Sequence, residues 1–214
     1  MSQAELRAGI VAVAQAIDGA GFCPSKSGNV SARTESGFLI TPSGLPYAQT
    51  TPNDLIELSR DGTALSGARK PSSEWPFHAA IYTARPDAQA IVHTHSPRAT
   101  ALASTRRGIP AFHYMIALCG GADVRCADYA TFGTPELAEN AVKALEGRKA
   151  VLLANHGVIA LGGSLAGAHQ IVAEVENLAG QYLDILAAGL EPVILDEAEM
   201  ARVSAKFADY GKVG

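Results

Sequence analysis

The residues best suited to chemistry stand at the end of an apolar run, Ala90-Ile91-Val92-His93-Thr94-His95-Ser96-Pro97. On an extended strand, residues i and i+2 share a face, so His93 and His95 would point the same way, roughly 6.5–7 Å apart along the chain. Two imidazoles so placed can converge on one metal ion. Equally, they can be polar side chains at a strand end, satisfied by backbone or water. His156 stands between Asn155 and Gly157 after a second apolar run, Val151-Leu152-Leu153-Ala154. If the two strands end side by side, three imidazoles meet and leave a fourth position open, the plan of a catalytic rather than a structural zinc site. Glu74 is the natural carboxylate partner, because a glutamate that ligates a metal or swings off it is placed to move a proton at carbon. The alternative for Glu74 is an acid in a first helical turn, where the macrodipole favours it. His78, four residues further on, shares a helix face with Glu74. His169 falls inside a long helix as a core or surface residue.

Three donor-rich segments accompany these groups: Ser27-Gly28-Asn29, Thr41-Pro42-Ser43-Gly44 and Pro71-Ser72-Ser73. Each is adequate as a plain turn. Together they offer hydroxyls and backbone N–H groups to a phosphate, with the positive end of the helix after Ser73. No Walker loop or dinucleotide fingerprint is present, so ATP and NAD have no support.

A succession of helices and strands must position these groups. Ser2–Gly19 has the periodicity of an amphipathic helix, with Leu6, Ile10, Val13, Ala14 and Ile17 on one side. A hairpin runs through Arg33 and Phe38–Thr41, a strand covers Leu55–Leu58, and Asp61-Gly62 is a turn. Lys70–Trp75 is a loop entering a helix, with Ser72 or Ser73 as N-cap and Phe77, Ile81 and Tyr82 on the buried side. After the His93 strand a helix covers Pro97–Ser104. The stretch Ile109–Tyr129 is ambiguous, with a short helix near Met115 and a strand near Val124. Pro135 opens a helix ending near Gly147. The longest helix, Ser164–Ala188, carries an apolar stripe from Leu165 to Ile185, and Asp196–Tyr210 reads as a last helix. Strands interrupted by helices along the whole length indicate one α/β domain, residues 1–214, with a layered sheet.

The chain has 214 residues, 48% hydrophobic and 18% charged, which fits a compact globule. A net charge of −4 with no basic stripe argues against nucleic acid. Cys23, Cys119 and Cys126 are odd in number and lack metal or disulfide spacing, as expected of a reducing compartment. Charges interrupt the first helix where a secretory signal needs an apolar core, and no run approaches the ~20 apolar residues of a membrane span. The expectation is a cytoplasmic protein without a membrane partner.

In order along the chain, Gly28-Asn29-Val30-Ser31, Thr41-Pro42-Ser43-Gly44, Lys70-Pro71-Ser72-Ser73-Glu74, His93-Thr94-His95 and Asn155-His156-Gly157 resemble the class II aldolase/adducin family. The segments Ile109–Ala117 and Tyr129–Thr134, with Lys206-Phe207 and Tyr210-Gly211, are similar to its fuculose-phosphate aldolase branch. The resemblance implies a central, mainly antiparallel sheet flanked by helices, assembled as a homotetramer with active sites between subunits. It implies zinc (Zn2+) on His93, His95 and His156, with Glu74 as a displaceable ligand. It implies phosphate held by Gly28, Asn29, Ser43, Gly44, Ser72 and Ser73, and Tyr114 and Tyr210 near an aldehyde. Lys26 stands where that branch carries a threonine, and either serves the same anion as a point charge or faces solvent. The implied activity is reversible cleavage of a ketose 1-phosphate, such as L-fuculose 1-phosphate or a 5-deoxy- or 5-methylthio-pentulose 1-phosphate, to dihydroxyacetone phosphate and an aldehyde. The family's alternatives are an epimerase, dehydratase or decarboxylase on a sugar phosphate, or an inactive adducin-like interaction module.

Overall fold

The computed structural model describes residues 2–209. Helix α1 (Gln3–Gly19) opens on a reciprocal cap, in which the Ser2 hydroxyl accepts from Glu5 N–H and the Glu5 carboxylate accepts from Ser2 N–H. Strands β1 (Asn29–Arg33), β2 (Phe38–Ile40), β3 (Ile56–Leu58) and β4 (Ala64–Ser66) come next, then α2 (Trp75–Ala84), β5 (Ala90–Thr94) and α3 (Pro97–Ala103). After a 3-10 helix at Tyr114–Cys119 come β6 (Arg125–Ala127), α4 (Pro135–Ala144), β7 (Ala150–Leu153) and β8 (Gly157–Gly162). The long α5 (Leu165–Ala187) and α6 (Glu197–Asp209) complete the described chain. Among the described residues no helix is long and apolar enough to cross a membrane.

The strands form one eight-stranded sheet in the order β4-β3-β2-β1-β5-β8-β7-β6. Every pairing is antiparallel except β6 with β7. Alternation along the strands sends side chains to two separate cores. Val30, Leu39, Val92, Leu152 and Val158 pack with α1, α3 and α5. Phe38, Ile40, Ile91, Val151 and Ile159 pack with α2 and α4 on the other face. Both faces are thus covered, and the expected helix-flanked, mainly antiparallel sheet is the architecture observed.

Three details differ from the sequence expectation. Gly157–Gly162, to which the sequence reading assigned no element of its own, is the strand β8, and it separates β5 from β7. The β5 and β7 strands therefore do not end side by side; His156 lies in the hairpin turn joining β7 to β8, and β8 carries that turn to β5. The edge strand β4 is exposed along its length and has no core-facing residue to reveal it. The N-cap of α2 is Glu74 rather than Ser72 or Ser73, and its carboxylate makes no capping bond because it is turned toward the histidines.

Candidate metal centre

Strand parity explains where His93 points. Ile91 faces the α2 core and Val92 the α1 core, so His93 returns to the α2 side, where Phe77 meets it edge-on with ring centroids 5.4 Å apart. His95 lies just beyond β5. The rings of His93, His95 and His156 stand 4.8–4.9 Å apart, steeply inclined to one another. Glu74 Oε2 is 3.2 Å from His93 Nε2, and Glu74 Oε1 is 3.0 Å from His156 Nε2. One ligand atom from each of Glu74, His93, His95 and His156 lies within 4.8 Å of all the others.

Two glycines let the backbones close around this point. Gly28 has φ +88°, and a Cβ there would sit 2.7 Å from the His93 carbonyl. A Cβ on Gly157 would sit 2.4 Å from the Thr94 carbonyl. The β7–β8 turn is fixed by Asn155, which takes a left-handed backbone (φ 54°) that asparagine tolerates. Its N–H donates to the Ala103 carbonyl and its side-chain oxygen accepts from Arg106.

The donor set fits a divalent cation. His93 Nδ1 lies 2.9 Å from the Val158 carbonyl, an acceptor, so Nδ1 carries the hydrogen and the Nε2 lone pair faces the centre. His95 Nε2 lies only 3.1 Å from His93 Nε2. Two facing lone pairs are costly unless a proton or cation lies between them. Burial first, then neighbouring positive charge, pushes the His95 imidazole down to about 3, into its neutral ligand form. Burial opposes charge on Glu74. Positive charge on the imidazole side of the centre outweighs it and holds the carboxyl well below its ordinary range. Glu74 Oε1 is buried yet makes no well-directed hydrogen bond, which is the condition of an oxygen shaped to meet a cation.

The centre opens into a cavity of about 310 Å³. Lys26, Gly28, Asn29, Ser43, Gly44, Ser72 and Ser73 all line it, together with Glu74, His95 and His156. The second and third donor turns are stitched side by side, Ser43 N–H donating to the Lys70 carbonyl and Ser72 N–H to that of Thr41. Tyr47, buried, donates its hydroxyl to the Gly28 carbonyl and braces the first. Tyr114 is half exposed and lies apart, at the start of the 3-10 helix beside α6, stacked near Phe207 with centroids 6.2 Å apart. Tyr210 falls outside the described residues. His78 is fully buried on α2 and is not one of the converging ligands; His169 lies in α5, away from the centre.

Sequence reading missed two features. Tyr129 and Phe132, exposed aromatics, form one wall of the cavity; their only signal was the family likeness of the segment that holds them. Asn29, expected at the phosphate, lines the cavity, and its side-chain amide also donates to Glu74 Oε2 (2.9 Å) and to Ser72 Oγ (3.1 Å).

A family model, the class II aldolase and adducin N-terminal domain, matches residues 8–183. The chain is 50% identical over 210 residues to the 5-methylthioribulose-1-phosphate/5-deoxyribulose-1-phosphate aldolase of Rhodospirillum rubrum, covering 98% of this chain and 94% of the relative. It is 46% identical over 191 residues to the L-fuculose phosphate aldolase of Escherichia coli, covering 89% and 88%. A solved L-fuculose 1-phosphate aldolase superposes with a TM-score of 0.93 at 40% identity, covering 97% of this chain and 98% of that one. With the family model spanning most of its length, the chain belongs to the class II aldolase and adducin family.

Proposed function

We propose that this protein is a zinc-dependent aldolase, an aldehyde-lyase that reversibly cleaves a ketose 1-phosphate into dihydroxyacetone phosphate and an aldehyde. The observation that carries the proposal is the convergence of Glu74, His93, His95 and His156 in one cavity with three donor turns. An ion held by the imidazoles supplies Lewis acidity toward the oxygens of the three-carbon unit. The chain supplies the rest. Gly28, Ser43, Gly44, Ser72 and Ser73 offer N–H and hydroxyl donors to the phosphate, and Lys26 offers a positive charge. In condensation the ionised Glu74 takes the proton from the reacting carbon of dihydroxyacetone phosphate, that carbon bonds to the aldehyde carbon, and the aldehyde oxygen takes a proton from Tyr114; cleavage is the reverse, Tyr114 taking the hydroxyl proton and Glu74 returning its proton to carbon. Tyr114, delivered by a neighbouring subunit of a homotetramer, handles the proton on the aldehyde oxygen, and Tyr210 also serves the aldehyde. No Schiff-base lysine is involved.

The relatives named for fuculose phosphate and for methylthio- and deoxyribulose phosphates set the substrate panel. A coupled assay for dihydroxyacetone phosphate would be run on L-fuculose 1-phosphate and on 5-deoxy- and 5-methylthioribulose 1-phosphate. We expect turnover of at least one of them. Silence on all three with metal bound would return the reading to an epimerase, dehydratase or decarboxylase, and absence of bound divalent metal would return it to an interaction module. A cytoplasmic setting agrees with the three free thiols.

A further inference from the structure

From Asn29 in the cavity wall a buried polar chain runs back from Glu74 between β1 and α2. Asn29 and Ser31 are two apart on β1 and share a face; His78 and Tyr82 are four apart on α2 and share a face. Asn29 and Tyr82 are 1% exposed, and Ser31 and His78 are fully buried. Asn29 Oδ1 meets His78 Nε2. His78 Nδ1 is 2.7 Å from Ser31 Oγ, which is 2.8 Å from the Tyr82 hydroxyl.

The chemistry of Glu74 fixes the direction of every bond in this chain. An ionised carboxylate only accepts, so the Asn29 amide nitrogen must face it and the amide oxygen must face His78. His78 must then carry its hydrogen on Nε2, and its bare Nδ1 must accept from Ser31. Ser31, having used its one hydrogen, must accept from Tyr82. A single tautomer of a neutral imidazole satisfies the whole series. His78 is also clamped between Phe77 and Phe38, ring centroids 4.6 and 6.4 Å away, so the ring cannot turn over without opening the α2 core.

We propose that His78 is a positioning residue for Glu74: its Nε2–H locks the Asn29 amide so that Asn29 grips Oε2 and leaves Oε1 free for the metal. The two carboxylate oxygens thereby receive different duties. Oε2 is the pivot, held by Asn29, and Oε1 is the oxygen that joins or leaves the ion. A flipped Asn29 would set its oxygen against the carboxylate, and the imidazole forbids that flip. The inference rests on Glu74 being a metal ligand, but it does not need the cleaved substrate to be known.

The test is zinc affinity of the full-length metal-free protein, measured by chelator competition, beside steady-state kinetics. His78→Phe keeps the ring shape and removes the donor; we expect zinc affinity to fall roughly 10–100-fold, and kcat to fall far more than KM changes. His78→Gln, whose amide reproduces the Nε2–H, should recover most of both. In an Asn29→Ala background, His78→Phe should cost less than about a further twofold, because the interaction runs through Asn29. The proposal is overturned if folded His78→Phe binds zinc like the parent, if Gln is as impaired as Phe, or if the losses with Asn29→Ala simply add. If His78→Phe does not fold, Ser31→Ala decides: weaker zinc binding supports the proposal and unchanged binding overturns it. Loss of zinc affinity in a protein that cleaves no ketose phosphate would sink the aldolase reading and leave this one standing.

Discussion

Glu74 carries the most chemistry of any single residue. Glu74→Gln keeps the shape and an oxygen but removes the base, so turnover should fall by about 10²–10⁴-fold while metal analysis still finds zinc; full activity would remove Glu74 from its role. His78 predicts a pH effect of defined sign. Burial, then the charge of His93 and opposed by Glu74, pushes its imidazole down to about 3, so the folded protein keeps it neutral while the unfolded chain protonates it near the ordinary value. The unfolded state then binds the extra proton. Stability from this group is complete above about pH 6.5 and is lost progressively toward about pH 3, by up to about 1.4 kcal/mol per pH unit. Urea midpoints at pH 7.5 and 5 should show the decline, and His78→Phe should flatten that part of it. The pairing of His93 with His95 was legible in the sequence because i, i+2 spacing on an apolar run is a local signal. The commitment of the Asn29 amide was not, since its partners lie 43 to 49 positions away.

At the scale of elements, the β7–β8 hairpin delivers His156, and Gly157 lets that hairpin lie against β5. Gly157→Ala puts a methyl 2.4 Å from the Thr94 carbonyl and 3.1 Å from His95 Cδ2. The expected cost is about 1–3 kcal/mol, read as a lower urea midpoint, together with weaker zinc binding; an unchanged midpoint would mean the hairpin has room the packing denies. Helices with capping residues and apolar stripes, α1 and α5 above all, were readable from sequence. Strand β8 was not, because Val158, Ile159, Ala160 and Leu161 are buried on both faces and show no alternation. Strand β4 was invisible for the opposite reason, being exposed throughout. The α2 cap was misassigned because a carboxylate at an N-cap ordinarily serves the helix, and here the imidazoles of His93 and His156 draw it away from the backbone.

For the whole molecule, the position of Tyr114 outside its own chain's metal cavity makes a prediction about assembly. If the protein forms the proposed homotetramer, Glu74→Gln and Tyr114→Phe subunits, each impaired alone, should regain up to about a quarter of parental activity when mixed tetramers form, because some sites then receive an intact member of each pair. No recovery in verified mixed tetramers would put Tyr114 out of the reaction or in its own subunit's site. The metal centre also bears on how long the fold persists. Its ligands come from the entry to α2, the end of β5 and the β7–β8 turn, and Cys23, Cys119 and Cys126 form no disulfide. A bound ion is therefore a removable cross-link closing the loop from residue 74 to residue 156. At a free concentration 100 times its dissociation constant it would add about 2.7 kcal/mol to stability. Stripping it should lower the melting temperature and speed unfolding, and zinc should reverse both, so that metal supply sets the lifetime of the protein as well as its activity.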